Sequence, residues 1–522
     1  MRNRLYAFMA VLLLCAGNTR AQEENSLSRI GKGIEYNLEM QATASEGVTP
    51  LWLNANKYGL SSLEDLNGYL RASAIRPLKT DSLRKWGVGY GMDIAVPYNF
   101  TSNVVVQQAF VEARWLHGVL TVGSKQQPME LKNNMLSSGS QTLGINARPV
   151  PQVRLSLPDY WKLPFTNGWV GLKGHIAYGK MTDDNWQHDF TQKLSKYADD
   201  VLYHSKAGYI KIGNEERFYP FSVELGLEMA STFGGTAYVP DGNGSLTAIK
   251  GETGAKAFWN AFLPGGSDKL DGTNYSNAEG NQLGSWMIRL NWEEDTWKAS
   301  VYADKYFEDH SAMFQLDYDG YGTGEEWQVK KDRKYLLYDF KDMMLGAEVN
   351  LKYARWINDI VFEYIYTKYQ SGPVYHDHTV TIPDHIGGMD NYYNHGTYTG
   401  WQHWGQVMGN PLYQSPIYNA DGNIRVANNR FMAFHLGLHG RPFEGFGYRV
   451  LASWQEGMGT YDNPYIDKHH NFSLLLEGKY SFSKKWLKGW SIKGGYGMDL
   501  GKILGNNYGF QFTISKNGLF NL

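Results

Sequence analysis

Hydrophobic and polar residues alternate along most of this chain, most cleanly near its end. In Tyr508–Phe520 (YGFQFTISKNGLF), Tyr508, Phe510, Phe512, Ile514 and Phe520 share one parity, while Gly509, Gln511, Thr513, Ser515 and Asn517 fill the other. A period of two predicts a strand, because successive side chains of a strand point to opposite faces. The apolar face carries large aromatics and the other is small and polar, the inverse of what a water-soluble sheet needs. Lipid outside and water inside would account for it. The polarity recurs in Phe221, Val223, Leu225, Leu227 and Met229 against Ser222, Glu224, Gly226 and Glu228, and in Trp286, Ile288, Leu290 and Trp292 against Ser285, Arg289 and Asn291. Leu345–Lys352 and Ile492–Leu500 repeat it, with Glu348, Lys352, Lys493 and Asp499 on the polar side. Charges confined to one parity predict a wet lumen, in which Glu224 and Glu228 pair with Arg or Lys across the barrel.

Connection lengths test the same idea independently, since outer-membrane barrels have short periplasmic turns and long outer loops. Counting back from a periplasmic C-terminus, the joins near Lys484–Gly489, Arg441–Gly445, Arg355–Asn358 and Glu293–Thr296 are short. Residues 308–342, 371–427 and 231–282 fall on the outer side and hold most of the Gly, Asn, Asp, Tyr and Trp clusters. The count reaches about eighteen strands, an even number as such barrels require, beginning near Ile34. The fold class expected is therefore all-β: a transmembrane antiparallel outer-membrane β-barrel with long extracellular loops and a few short helices. Two stretches resist the period: Lys125–Val150, and Asp189–Tyr203, where Phe190, Leu194, Tyr197 and Val201 follow helical spacing and predict an amphipathic helix at one rim.

The N-terminus changes the picture only by giving a route. Arg2 and Arg4 precede an apolar run from Leu5 to Cys15, and Thr19-Arg20-Ala21 precedes Gln22. That is the pattern of a secretory signal peptide over residues 1–21, leaving 22–522 as a single barrel domain exported to the outer membrane. The run is too short to span a bilayer, and no later stretch offers roughly twenty consecutive apolar residues. Cys15 is the only cysteine, so the mature chain is expected to have neither disulfide nor thiolate nucleophile; Leu14 before it makes a lipid anchor the minor reading. A hydrophobic fraction of 42% with a mean hydropathy of -0.45 suits a barrel in which only alternate residues touch lipid. The 36 Tyr, 17 Trp and 58 Gly fit interface aromatics and turns. A formal charge of -2 gives no general drive toward nucleic acid.

A barrel of this size encloses an aqueous channel unless loops fill it. The loop Gly372–Asn428 is dense in rings: Tyr392, Tyr393, Tyr398, Trp401, Trp404, Tyr413 and Tyr418 lie between Met389 and Asn419. They could pack into a plug, or offer flat apolar faces with polar edges, or do both.

Three blocks, NARPVPQ at Asn146–Gln152, GWQHWG at Gly400–Gly405 and GNPLYQSPIYN at Gly409–Asn419, together with the strand order around them, resemble the capsule-assembly outer-membrane lectins of the Wzi type, as a Bacteroidetes-like member. The resemblance covers nearly the whole mature chain. It implies a loop-occluded eighteen-stranded barrel that binds capsular or related surface polysaccharide and helps hold it on the cell. Enterobacterial members also carry a small periplasmic helical bundle, for which this sequence offers no match.

Sugars present C–H faces that stack on rings and hydroxyls that need donors and acceptors, so the candidate ligand contacts are Arg148, Tyr392, Tyr393, His395, Trp401, His403, Trp404 and Asn410. Arg148 has a donor fork suited to acidic sugar groups, although capture by lumen carboxylates is the commoner fate of such an arginine. His376, Asp377, His378, Asp384 and His385 are of metal-ligand type, but their spacing matches no metal motif and a solvated loop is the plainer reading. His435 and His439 read as lumen residues satisfied by neighbouring strands. No G-x-S-x-G, H-E-x-x-H or P-loop is present. The expectation is a non-enzymatic lectin-like barrel without metal or cofactor. Its partners would be surface polysaccharide, outer-membrane lipid and the barrel-assembly machinery that reads the C-terminal strand. An oligosaccharide channel is the alternative, and a cleaving barrel would need Ser, His and a carboxylate within hydrogen-bond reach at one rim.

Overall fold

The computed structural model describes residues 30–521 apart from 83, 215–216, 242, 244, 264–269, 272–273, 276–279, 309–315, 337–340, 377–379 and 382–384. The signal segment, with Cys15, lies outside the described residues, as do Asp377, His378 and Asp384 of the His-rich run.

Eighteen antiparallel strands form one sheet that closes on itself. The first, Lys32–Glu46, pairs with the last, Asn507–Asn521, from Lys32 opposite Asn521 to Glu46 opposite Tyr508. Closure leaves no edge strand, the condition for a sheet to exist in hydrocarbon. The period-two faces are those read from the sequence: Phe510 is 67% exposed and Gln511 6%. Around the wall Leu70, Val96, Val111, Leu155, Leu225, Val301, Leu345 and Phe362 form the outward apolar band. Exposed Trp86, Trp115, Trp292, Trp356, Trp486 and Trp490 stand beside the short turns, where an aromatic girdle meets the periplasmic interface. The four short joins expected link the strand pairs Asn281–Glu293 and Trp297–Glu308, Met343–Leu351 and Asp359–Tyr366, Phe431–Phe443 and Phe446–Gly459, and Pro464–Ser481 and Trp490–Gly501. Among the described residues the periplasmic turns carry only single 3-10 turns, Leu78–Asp81, Pro164–Thr166 and Lys485–Leu487, and no helical bundle.

The helix expected over 189–203 is a misreading. A helix spans only Trp186–Thr191 and is stopped by Gln192 and Lys193, both with positive φ. Tyr197–Asp199 is a strand paired with Thr236–Pro240, and Leu202 begins a barrel strand. Leu194 is exposed, while Tyr197 stacks on Tyr238. Cross-strand pairing overrode a spacing that only mimicked a helix.

The molecule's main apolar core lies inside the barrel rather than between sheets. Three outer segments turn inward and meet there: residues 47–65 with the helix Leu51–Asn54, residues 125–151, and residues 389–430. The stretch 125–151, ambiguous in the sequence, contains no strand at all. Its amides and side chains bond around the wall, Lys132 to Asp304 (2.6 Å), Ser138 N to Glu363 (2.8 Å), Leu143 N to Glu228 (3.2 Å), and the Leu136 carbonyl to His435 (2.8 Å). The segments also bond one another: Tyr58 N to Ile145 O (2.7 Å), Gly144 N to Met408 O (2.9 Å) and Asn146 Nδ2 to Val407 O (3.1 Å). Leu51 N reaches Asp499 (3.0 Å) and Lys57 reaches Gln511 (2.5 Å). Leu53 fills space left by Gly497, where a Cβ would lie 2.7 Å from its Cγ.

Two expectations about lumen residues need refinement. Glu224 and Glu228 accept hydrogen bonds from tyrosine hydroxyls, Tyr160 and Tyr209 at 2.7 Å each, from Asn291 and from the Leu143 amide of the plug; among the described residues Lys132 and Arg154 act on Glu228 through their charge, without a direct ion pair. His435 and His439 do face inward, on Ser453 (2.7 Å) and Asp359 (3.3 Å), but the second nitrogen of His435 is taken by the plug. The lumen is charged yet filled in its outer half. Below the plug a vestibule of about 1080 Å³ remains on the periplasmic side.

Candidate functional site at the outer face of the plug

The sequence blocks NARPVPQ, GWQHWG and GNPLYQSPIYN are far apart in the chain and meet in the plug. GWQHWG forms a two-stranded hairpin in which Gln402 pairs with Val407 and His403 with Gln406. Its two-residue turn is Trp404-Gly405, with φ of 56° and 77°. Positive φ at both central positions is the hairpin turn that favours Asn-Gly, and a bulky indole in the first of them is strained. The hairpin is fixed to the NARP segment by His403, whose Nδ1 donates to the Arg148 carbonyl at 2.8 Å while its Nε2 accepts the Thr182 amide at 3.2 Å.

Trp404 is half-buried and lies beneath Arg148, whose Cζ is 3.9 Å from the ring centre. The guanidinium donates to Ser102 Oγ (2.8 Å) and Thr101 Oγ1 (3.3 Å), and its Nε has no partner. Among the described residues its partners are these hydroxyls and not the lumen carboxylates considered as the commoner fate. Burial without a nearby acid lowers its pKa to about 10. Trp404 also lines a small recess of about 20 Å³ together with Thr182, Asp183, Gln187, Asp200, Gln402 and His403. An aromatic face, a guanidinium whose hydrogen bonds among the described residues go to hydroxyls, and a recess that carries the carboxylates Asp183 and Asp200 thus lie together.

The remaining candidates are deeper. Tyr392, Tyr393, Trp401 and Asn410 are buried. Trp401 Nε1 donates to Thr142 O (2.9 Å) and its ring stacks on Tyr203. Tyr392 Oη donates to Asp342 (3.1 Å). Tyr393, itself at φ 67°, stacks on Tyr413 at 4.1 Å, and its hydroxyl donates to Gln141 O and accepts from Asn410 N. Gly409 is required here, because a Cβ would come within 1.9 Å of the Tyr393 hydroxyl. Asn410 Nδ2 bonds Ser138 Oγ (3.0 Å) and Gly139 O (3.1 Å). These four residues are the mortar of the plug. His395 lies to one side, its Nδ1 accepting the amides of Thr397 (3.1 Å) and Tyr398 (3.0 Å).

Sequence reasoning missed the segment around Leu51-Trp52-Leu53, although three large apolar residues after Pro50 in an outer loop were a signal of burial. Trp52 packs on His435 at 4.9 Å. His376 and His385 are opposite each other across a hairpin. The Ser–His contacts described, His435–Ser453 and His175–Ser205, are buried in the lumen rather than at a rim.

No protein-family model matches the sequence, and no curated protein does. Among solved structures, the chain is similar to Wzi of Escherichia coli, described as an outer-membrane, carbohydrate-binding β-barrel involved in group 1 capsule assembly. That match has a TM-score of 0.54 and 12% identity, covering 94% of this chain and 85% of that one. It also matches OprD of Pseudomonas aeruginosa, with a TM-score of 0.43 and 8% identity, over 94% and 95% of the two chains. The likeness to Wzi is one of fold, and the fold is that of the closed antiparallel barrels of the Gram-negative outer membrane.

Proposed function

We propose that this protein is a non-enzymatic, polysaccharide-binding barrel of the Wzi type that helps hold capsular or related glycan on the cell surface. The observation that carries the reading is Trp404: an indole kept in a strained turn position, under a guanidinium bonded, among the described residues, to hydroxyls rather than to an acid, and beside a polar recess. Backbone strain of this kind costs on the order of 1–3 kcal/mol and persists where the side chain has work to do. A sugar ring would stack on the indole while Arg148 meets its hydroxyl or carboxylate groups and Asp183 and Asp200 of the recess accept from its hydroxyls. Single contacts of this kind are weak, and many copies per cell gripping one repeating polymer convert them into firm retention. Of the eight candidate residues, Arg148 and Trp404 are assigned ligand contact. His403 positions them, Tyr392, Tyr393, Trp401 and Asn410 support the plug, and His395 holds the local turn at Thr397 and Tyr398.

The test is glycan-array binding and surface retention of polysaccharide by Trp404→Ala. The variant is expected to keep the barrel and lose binding; unchanged binding in a folded variant would remove this turn from the mechanism. An oligosaccharide channel is the second reading, favoured by the open vestibule and the charged lumen parity. Planar-bilayer recordings separate the two: a lectin with this plug conducts little, whereas a channel conducts with the plug in place.

A further inference from the structure

The periplasmic vestibule has a charge pattern that the outer site does not explain. Its roof and walls bring together Arg449, Lys493, Lys479, Arg441 and Arg355, with Glu477, Glu39 and Glu444 as the acids. The acids do not neutralise the cations. Glu477 is shared, at 3.2 Å from Arg449 and 3.3 Å from Lys493, and Glu39 faces Arg71 at 3.9 Å. Arg449 spends one nitrogen on the Met135 carbonyl of the plug (3.1 Å), and its Nε has no partner. Lys57 hangs from the plug above the same cluster. Burial, then the proximity of Lys493, pulls its pKa down to about 7, against the opposing pull of Glu477 and Glu39. Ser491, Ser515 and Thr513 add hydroxyls on the same wall.

A space of about 1080 Å³ is at the upper end of small-ligand sites, which run to about 1,000 Å³. Cations around a low-dielectric concavity focus their field into it and concentrate anions. We propose that the vestibule is a binding site, open to the periplasm, for a small ligand bearing carboxylate or phosphate oxygens, with Lys493, Arg449 and Lys479 as its principal contacts. The outer-face lectin reading is not needed for this: the two sites lie on opposite sides of the plug and can fail separately.

The experiment is calorimetric titration of the full-length, detergent-solubilised protein with glucuronate, with inorganic phosphate and with glucose. Glucuronate or phosphate is expected to bind, more weakly as salt rises, and glucose not to bind. Heat from glucuronate alone would identify a carboxylate sugar site, and heat from phosphate alone a phosphate site. Lys493→Gln, and independently Lys479→Gln, should each weaken the bound anion by about tenfold or more, as loss of a charge-assisted contact does. Lys479 is an exposed residue of the barrel wall. Equal binding of glucose, no heat from either anion, or affinities unchanged in both variants would overturn the proposal.

Discussion

Trp404 carries two opposed demands at one position. Its backbone favours Asn or Gly, and its ring is the only part that a turn of this type does not need. Trp404→Asn should therefore leave the unfolding midpoint unchanged or raise it, while lowering glycan affinity; thermal unfolding and array binding measured on the same preparation check the pair of outcomes. Lys132 poses a simpler question. It and Asp304 are 1% and 0% exposed, and removing one partner of a buried pair strands the other at a cost of about 3–5 kcal/mol. Lys132→Met is expected to loosen the plug and raise single-channel conductance while the barrel still shows its heat-dependent shift on gels. The double variant Lys132→Met, Asp304→Asn should recover much of the closed behaviour.

At the scale of elements, the plug should respond to acid. His403 and His395 each accept backbone amides in the folded state, which requires them neutral. Burial lowers them to about 4 and about 3, with Arg148 and Lys196 adding repulsion. Unfolded, each would protonate near 6.5. Between that value and the folded one the open form binds more protons, so plug stability is full above about pH 6.5 and falls as pH is lowered toward 4. Conductance in planar bilayers should rise across that window, and His403→Gln should flatten the rise. The barrel strands and their joins could be read from the sequence, because lipid on one side and lumen on the other impose a period that any strand must obey. The plug could not. Residues 125–151 have no period, and their partners are distant, Lys132 with Asp304 and Leu136 with His435. Phe190, Leu194, Tyr197 and Val201 happened to fall at helical intervals across a short helix, a bend, a strand and the residue before the next strand. The ring-dense loop was recognisable as plug or platform; which rings do which depended on depth and partners, which separate Trp401 from Trp404.

The whole molecule is stabilised from opposite sides of one sheet, by lipid on its outer face and by the plug on its inner face. Phe512→Arg, on the lipid side, should lower barrel stability by about 2–4 kcal/mol, measured by folding into lipid vesicles under urea. The bonds between Leu51 and Asp499 and between Lys57 and Gln511 have a consequence in time. The first inward segment to leave the ribosome has its anchors in the last two strands, so its docking is among the longest-range events in the chain and belongs to the slow end of folding. The interior of this protein is fully locked only when its seam is sewn, and a nascent barrel still waiting for its C-terminus has its first inward segment unmoored.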